Sequence, residues 1–320
     1  MKLKIIVFIL VGMAFQLANA KIKPTQLTCE YLKNIPLVDI QHPRMAWINI
    51  ADPGERGQKQ TAWQVRVATS ATNLQKPDLW DSGKVKSEQS TRVEYNGITL
   101  RSEQECWWQV RVWDRNGKPS DWSQPAMWRM GLLQPSDWKA EWIGAPWQGE
   151  EALPKPQKSG GKLDQLPPPA PMFRKPFTIT KKVKKAVAYV TGLGYFELYL
   201  NGKKVSDDVL VPNQTNYGKR PNLVNAYIFL PDNFREYKVM YLAYDLTNQL
   251  RDGENVVGSI LGNGFYNPAK SWTEAYGSPR FLGQVHITYV DGTEDVIVSD
   301  QSWKASKSPI LMDMVYYGEH

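Results

Sequence analysis

Hydrophobic and polar residues alternate along most of the chain with the two-residue period of a β-strand. The alternation is regular over 64–69 and 108–113, and the runs 186–190 and 196–200 are rich in β-branched and aromatic residues. The dipeptides Asn201-Gly202 and Asp291-Gly292 suit two-residue hairpin turns, because each can supply positive φ angles. No long segment has a helical period. The pattern therefore predicts an all-β protein built from tandem β-sandwiches.

One stretch interrupts this rhythm and suggests where the sandwiches are joined. From Gln148 to Pro171 the sequence is rich in Pro, Lys and Gly and has almost no apolar periodicity, which is typical of a linker or a long exposed loop. We therefore predict a first sandwich over 21–132, a connector over 133–171 and a second sandwich over 172–320.

The first twenty residues have the pattern of a secretory signal peptide. Lys2 and Lys4 precede an apolar run that ends at Leu17, and Ala18-Asn19-Ala20 supplies the small residues that signal peptidase requires. The run is too short to span a bilayer comfortably, and no later segment is apolar enough to try. Residues 1–20 are thus predicted to be removed, leaving an exported, periplasmic or extracellular protein that begins at Lys21.

Charge and cysteine content exclude several other classes of protein. The formal net charge is +7 and falls to +5 without Lys2 and Lys4, and the excess is spread along the chain, so nucleic-acid binding is not expected. With three histidines and two cysteines the sequence has no metal-binding pattern, and it has no cofactor motif. Cys29 and Cys106 either form a disulfide, which the compartment permits, or are two small buried hydrophobic residues.

The part of the chain from about Pro24 to Leu132 resembles a fibronectin type III module. Trp47 follows Pro43-Arg44 as in the strand whose tryptophan fills the core, and Trp108 opens a strand that usually begins with Tyr. Ser120-Asp121-Trp122-Ser123 resembles the end of such a module. The resemblance implies that most of these tryptophans are core residues.

A narrower resemblance covers essentially the whole chain after residue 20. Pieces that occur in this order in bacterial α-L-rhamnosidases of glycoside hydrolase family 78 are Cys29-Glu30-Tyr31, Trp80-Asp81-Ser82-Gly83, 110–114, 138–144, 173–175, 189–202, 244–247, 253–255, 261–266 and 300–303. The pieces from Phe173 onwards are similar to the family's N-terminal jelly-roll domain, a galactose-binding-like sandwich. Each piece alone is unspecific, but the ordered set is characteristic.

The resemblance implies a non-catalytic front portion of an enzyme that removes terminal α-L-rhamnose from glycans or glycosides. In that family both sandwiches precede a large (α/α)6 barrel that carries the catalytic carboxylates, and no such barrel follows here before His320. Two alternatives remain open at this point: a free-standing carbohydrate-binding or surface-adhesion protein, and an inactive gene fragment. The oligomeric state is not indicated by the sequence.

Catalysis by this chain alone is not expected, because hydrolysis of a glycosidic bond needs two carboxyl groups facing each other across it. The close acidic pairs are Glu150-Glu151, Asp207-Asp208, Asp252 with Glu254, and Glu294-Asp295. The first pair lies in the Pro-rich stretch, and the others flank predicted turns, where acidic residues are expected for backbone reasons.

Carbohydrate binding is the activity that the sequence still allows. It needs an aromatic ring to stack on a pyranose, together with amides for the hydroxyl groups. A segment with several Gly and Pro residues supplies both types and is predicted to be a loop. The candidate sugar-binding residues are Asn263, Tyr266, Asn267, Trp272 and Tyr276, with a rhamnose-containing glycan as the implied partner.

Overall fold

The computed structural model describes residues 21–33, 37–148, 158–159, 162–163, 169–215, 217, 238–267, 276–311, 313–315 and 318–319. Within these ranges the chain forms strands and two short 3-10 helices, Thr72–Gln75 and Pro135–Asp137, so the all-β prediction is confirmed. It divides into two compact units, of which the first ends at Asp137 and the second begins at Trp138. The predicted signal peptide 1–20, most of the Pro-rich stretch and Trp272 lie outside the described residues.

The first unit is a sandwich of a three-stranded and a five-stranded sheet, in the orders β1-β3-β6 and β2-β8-β7-β4-β5. All neighbouring strands are antiparallel except β2 and β8. The strands are β1 (Ile22–Cys29), β2 (Leu37–Val38), β3 (Arg44–Ala51), β4 (Ala62–Ala68), β5 (Trp80–Asp81), β6 (Val93–Glu94), β7 (Glu105–Trp113) and β8 (Ala126–Met130).

Tryptophans fill the core of this first unit, as the resemblance implies. Trp47, Trp108 and Trp128 are at most 2% exposed and pack with Val65, Val67 and Val110 and other residues of both sheets. Trp47 donates its indole N–H to Gln60 at 3.0 Å, so its polar atom is satisfied inside the core. These tryptophans are therefore explained by packing.

The Ser-Asp-Trp-Ser motif is also explained by local structure. The hydroxyls of Ser120 and Ser123 accept the backbone N–H groups of Val112 and Val110 at 3.0 and 3.1 Å. Two guanidinium groups lie close to the ring of Trp122: that of Arg66 is 4.6 Å from its ring centroid and that of Arg111 is 4.8 Å away. The ring is thus held by two cation–π contacts.

The two cysteines are free thiols buried in the same core. Burial raises the pKa of Cys106 to about 12, with smaller contributions from Glu105 and Asp78. Burial also raises the pKa of Cys29 far above the ordinary thiol range. Of the two alternatives left open by the sequence, the structure shows the second: Cys29 and Cys106 form no disulfide and are small, buried hydrophobic residues whose thiols are neutral and unreactive.

The second unit is a sandwich of a five-stranded sheet, β14-β13-β16-β11-β19, and a four-stranded sheet, β15-β12-β17-β18, both antiparallel. A short hairpin of β20 and β21 lies near the end of the chain, and β9 (Lys158–Ser159) pairs with β10 (Lys162–Leu163). The strands of the unit are β11 (Pro171–Ile179), β12 (Val183–Leu193), β13 (Tyr195–Leu200), β14 (Lys203–Lys204), β15 (Leu242–Asp245), β16 (Gly253–Gly262), β17 (Arg280–Tyr289), β18 (Glu294–Val298), β19 (Lys304–Lys307), β20 (Asp313–Met314) and β21 (Gly318–Glu319).

Residues 138–148, which the sequence places in the connector, pack on the four-stranded sheet of the second unit. Ile143 and Phe281 exchange two backbone hydrogen bonds of 2.9 Å, and the N–H of Glu141 donates to Ser299. Ala145 is 2% exposed and belongs to the core of the second unit. The compact unit therefore begins well before residue 172, because this segment supplies contacts to its sheet.

Residues 138–148 also explain why β12 is buried on both faces. The face of β12 that points into the core carries Ala186, Ala188 and Val190, whereas Tyr189 lies on the other face and is nevertheless fully buried. The ring of Trp138 meets that of Tyr241 edge-on at 5.3 Å, and Tyr241 in turn contacts Tyr189.

Among the described residues, no helix long enough and apolar enough to cross a membrane is present.

Candidate functional site

Two loops of the second unit approach each other at one end of its five-stranded sheet. One joins β12 to β13 and contains Gly194, and the other follows β16 and contains Gly264. Gly194 has φ +118°, and a Cβ there would lie 2.2 Å from the carbonyl oxygen of Gly262. Only a residue without a side chain fits, so glycine brings the candidate residues of the second loop next to the start of β13.

Asn263 and Asn267 brace this loop from inside. The backbone N–H and the side-chain amide of Asn263 donate to the carboxylate of Asp313 at 2.7 and 3.1 Å. Asn267 donates its amide to the side-chain oxygen of Asn263 at 3.0 Å. Both asparagines are 3% exposed. Their amides hold the loop together and are not positioned to contact a ligand directly.

Tyr266 and Tyr276 meet, and a third residue that the sequence did not single out joins them. Their rings stack with centroids 6.0 Å apart, and the ring of Tyr217 meets them edge-on at 5.0 and 5.5 Å. All three are half-buried. We call Tyr217, Tyr266 and Tyr276 the tyrosine cluster. Tyr217 lies far from the others in sequence, so no local pattern could have placed it there.

Burial raises the pKa of two of the three hydroxyl groups in the cluster, those of Tyr266 and Tyr217. It raises the pKa of Tyr266, although the nearby Arg280 guanidinium opposes the change. Burial likewise raises the pKa of Tyr217, with the backbone of Thr215 acting in the opposite direction. At neutral pH these side chains are phenols that combine an apolar ring with a hydrogen-bonding tip.

A cleft of about 380 Å³ is formed partly by the same loop, since Gly264 lines it, and three acidic residues contribute to its lining. Its lining includes Tyr195, Glu197, Leu210, Asp313 and Glu319. Burial raises the pKa of Asp313 and the charge of Glu319 adds to the effect, while the hydrogen bonds from Asn263 oppose it. The sequence analysis missed Asp313, although an acid within the apolar run 309–315 is itself a sign of a buried, hydrogen-bonded carboxyl group.

Three of the four acidic pairs considered for catalysis lie among the described residues, and they are exposed to solvent. Asp207, Asp208, Asp252 and Glu254 are exposed, as are Glu294 and Asp295, while Glu150 and Glu151 lie outside the described residues. The described part of the chain holds no group of three His, Cys, Asp or Glu side chains arranged for a metal ion. This end of the sandwich offers aromatic rings, phenols and a few carboxylates.

The fold and this loop edge define a chain of two β-sandwiches with a cluster of aromatic residues on the second. Residues 24–134 match the model of a Rha78A-like, N-terminal immunoglobulin domain, and residues 181–227 and 230–320 match that of the α-L-rhamnosidase N-terminal domain. The chain therefore belongs to the α-L-rhamnosidases of glycoside hydrolase family 78 and carries their N-terminal domains. The resemblance recognised from the sequence is confirmed.

Several α-L-rhamnosidases are similar to this chain in sequence and in fold. An α-L-rhamnosidase of Formosa agariphila is 36% identical in an alignment 298 positions long that covers 88% of this chain and 29% of that protein. The solved α-L-rhamnosidase from Dictyoglumus thermophilum has 35% identity and a TM-score of 0.78, covering 94% of this chain and 32% of that one. The Streptomyces avermitilis α-L-rhamnosidase, solved with L-rhamnose, has 24% identity, a TM-score of 0.79 and coverage of 93% and 42%. The chain thus spans less than a third of the length of the first two.

Proposed function

We propose that this chain is an exported, accessory portion of an α-L-rhamnosidase, and that its tyrosine cluster binds rhamnose at the ends of glycans. The observation that carries the proposal is the meeting of three half-buried tyrosines at a loop edge beside a cleft. Partly exposed rings that are not needed to fill a core are the side chains expected at a ligand surface.

Rhamnose is a 6-deoxy sugar, and its chemistry suits this edge. Its methyl group and ring C–H bonds favour contact with aromatic carbon, while its hydroxyls need donors and acceptors. The tyrosine cluster offers both, since a phenol group combines an aromatic ring with a hydroxyl that can donate and accept hydrogen bonds. The carboxylates of Glu197 and Glu319 in the neighbouring cleft can accept hydrogen bonds from further hydroxyls.

The five residues predicted from the sequence take different parts in this proposal. Tyr266 and Tyr276 would contact the sugar, joined by Tyr217, while Asn263 and Asn267 would position the loop from within. Trp272 lies outside the described residues and stays a predicted stacking residue. Cleavage of the predicted signal peptide would place the site where extracellular glycans are met.

We expect Tyr266→Ala to weaken rhamnose binding by about 1–3 kcal/mol, the scale of one aromatic stacking contact. Titration calorimetry with L-rhamnose on the full chain measures the change, and Trp272→Ala is expected to act in the same direction. Tyr266→Phe keeps the ring and separates the role of the hydroxyl from that of stacking.

Tyr31→Ala is the matched control, because Tyr31 is an exposed tyrosine of the first unit, 63% accessible, with the Arg44 guanidinium over its ring. It should leave rhamnose affinity unchanged. Thermal unfolding of each variant identifies loss of fold. If folded Tyr266→Ala binds rhamnose as tightly as the unaltered chain, the cluster is not the sugar site.

A further inference from the structure

The outer face of the five-stranded sheet in the second unit carries a groove distinct from the tyrosine cluster. On β13 buried and accessible residues alternate strictly, and β11 and β16 follow the same alternation except at Lys175 and Gly253. The accessible side includes Met172, Arg174, Tyr199, Gly258 and Ile260. Together with Lys304 and Ser306 of β19, these residues line a groove of about 580 Å³, which we call the sheet-face groove.

The register of the strands places the chemically important residues in one row. Gly258 of β16 is the Cα partner of Arg174 on one side and of Tyr199 on the other. Arg174 is in turn paired with Lys304. Since neighbouring strands lie about 4.8 Å apart, Arg174 and Tyr199 are separated by roughly 9–10 Å across a glycine. The missing side chain at Gly258 leaves a trough between a cation and an aromatic residue.

The two cations of this row are not neutralised within the described residues. Among these residues, no side chain forms a hydrogen bond or an ion pair with the charged group of Arg174 or of Lys304, and both residues are exposed. Acidic side chains do occur at the Tyr199 end, where Glu197 is held by Lys204 at 2.5 Å and by the Tyr199 hydroxyl at 2.6 Å. The groove is therefore positive at the end of Arg174 and Lys304, whereas the acids Glu197 and Glu319 lie near Tyr199 at the other end.

Tyr199 is fixed in place by its hydroxyl group. The hydrogen bond to Glu197 raises the pKa of Tyr199 to about 12, and burial adds to the effect. A phenol held in this way presents a ring of defined orientation, which lowers the entropic cost of stacking a ligand on it. The apolar side chains of Met172, Val256 and Ile260 complete the floor of the groove.

We propose that the sheet-face groove binds an acidic oligosaccharide, with a uronate carboxylate on Arg174 and Lys304 and a neighbouring sugar ring along Tyr199. The distance across Gly258 suits more than one sugar unit, so an oligosaccharide is favoured over a monosaccharide. A carboxylate is chosen because the planar guanidinium of Arg174 can bind both of its oxygens at once. The groove's volume lies in the range of ordinary ligand sites.

The proposal is independent of rhamnose binding, because no residue of the tyrosine cluster lines this groove. Such a surface would hold the chain on a polyanionic glycan while the loop edge engages another sugar. When one site of a chain holds a glycan, the other site meets further sugars of the same glycan at a raised local concentration.

The test is titration calorimetry of the full chain with a short oligogalacturonate and with its methyl-esterified, uncharged form. We expect the acid to bind and the ester to bind at least tenfold more weakly. Arg174→Gln should weaken binding of the acid at least tenfold and Lys304→Gln several-fold. Arg174→Lys should be intermediate, because lysine supplies the charge without the two-pronged geometry. Raising salt from about 50 to about 200 mM should weaken binding further.

Lys184→Gln is the matched control, since it removes the same charge from an exposed position on β12 of the other sheet. It should leave affinity unchanged, as should Tyr266→Ala, which separates this result from the rhamnose test. Equal binding of acid and ester, absence of saturable binding, or full affinity in folded Arg174→Gln would each overturn the proposal. A sulfated oligosaccharide that binds equally tightly through Arg174 would overturn the choice of a carboxylate.

Discussion

Asp114 is a buried acid whose role is entirely structural. Its carboxylate, with no exposed surface, accepts the backbone N–H groups of Asn116 and Lys118 at 2.9 Å each and that of Lys21 at 3.2 Å. Burial tends to raise its pKa, but these three donors outweigh burial and the pKa is lowered. If signal peptidase cuts after Ala20, the Lys21 nitrogen is the terminal ammonium, and its hydrogen bond becomes charge-assisted.

We expect Asp114→Asn to destabilise the first unit by about 2 kcal/mol at neutral pH, because the amide of asparagine has one acceptor oxygen and places an N–H donor where the second carboxylate oxygen accepts. The folded-state pKa lies below the unfolded value of about 3.9, so the stabilisation is complete above that value and is lost as pH falls through the folded pKa. Urea unfolding at several pH values measures this. A difference between the two proteins that persists undiminished at the lowest pH would contradict the assignment.

At the scale of elements, the loop edge depends on the close approach of two glycine-containing segments. Gly194 lies against the backbone of Gly262, and Gly264, with φ +51°, lies against the backbone of Gly194 and Tyr195. Gly202, in the turn between β13 and β14, also has positive φ, +79°, but faces open space. The glycines thus serve two different needs, and only the first involves contact between segments.

This difference predicts unequal effects of the same substitution. Gly202→Ala should cost about 1 kcal/mol, the strain of a positive φ alone. Gly194→Ala should cost about 3 kcal/mol or more, because the added methyl group would also collide with the Gly262 carbonyl. Chemical denaturation compares the two. Similar losses in both variants would mean that the loops separate easily.

At the scale of the whole molecule, each unit has its own hydrophobic core. The boundary between Asp137 and Trp138 matters because residues 138–148 complete the second unit. The domain limits inferred from sequence, 21–132 and 172–320, stay predictions, but the contacts of Glu141, Ile143 and Ala145 show where an experiment can test them.

A fragment that spans 138–320 should be more stable than one that spans 169–320. Removing the segment deletes at least three backbone hydrogen bonds to β17 and its neighbourhood, at about 1 kcal/mol each, and exposes Tyr189 and Gln284. We expect a loss of about 3 kcal/mol, or several degrees in melting temperature. Differential scanning calorimetry of the two fragments decides the matter, and equal melting temperatures would argue against a structural role for the segment.

The sequence by itself determined the strand content, the two-sandwich organisation and the family. These follow from local alternation, turn dipeptides and ordered motifs, all of which are readable within short windows. It also singled out Tyr266 and Tyr276 as candidate sugar-binding residues, because aromatic residues stand out in a segment rich in Gly and Pro, and their role stays a prediction.

Only the tertiary structure decided what those residues meet. Tyr217 joins the tyrosine cluster, and the carboxylate of Asp313 accepts hydrogen bonds from Asn263. Arg174 lies in one row with Tyr199, on the other side of Gly258. Each of these contacts joins segments dozens of residues apart in the chain, and it is fixed by sheet register and loop closure. A side-chain period reports which face of a strand is buried, but it contains no information about which strand lies beside it.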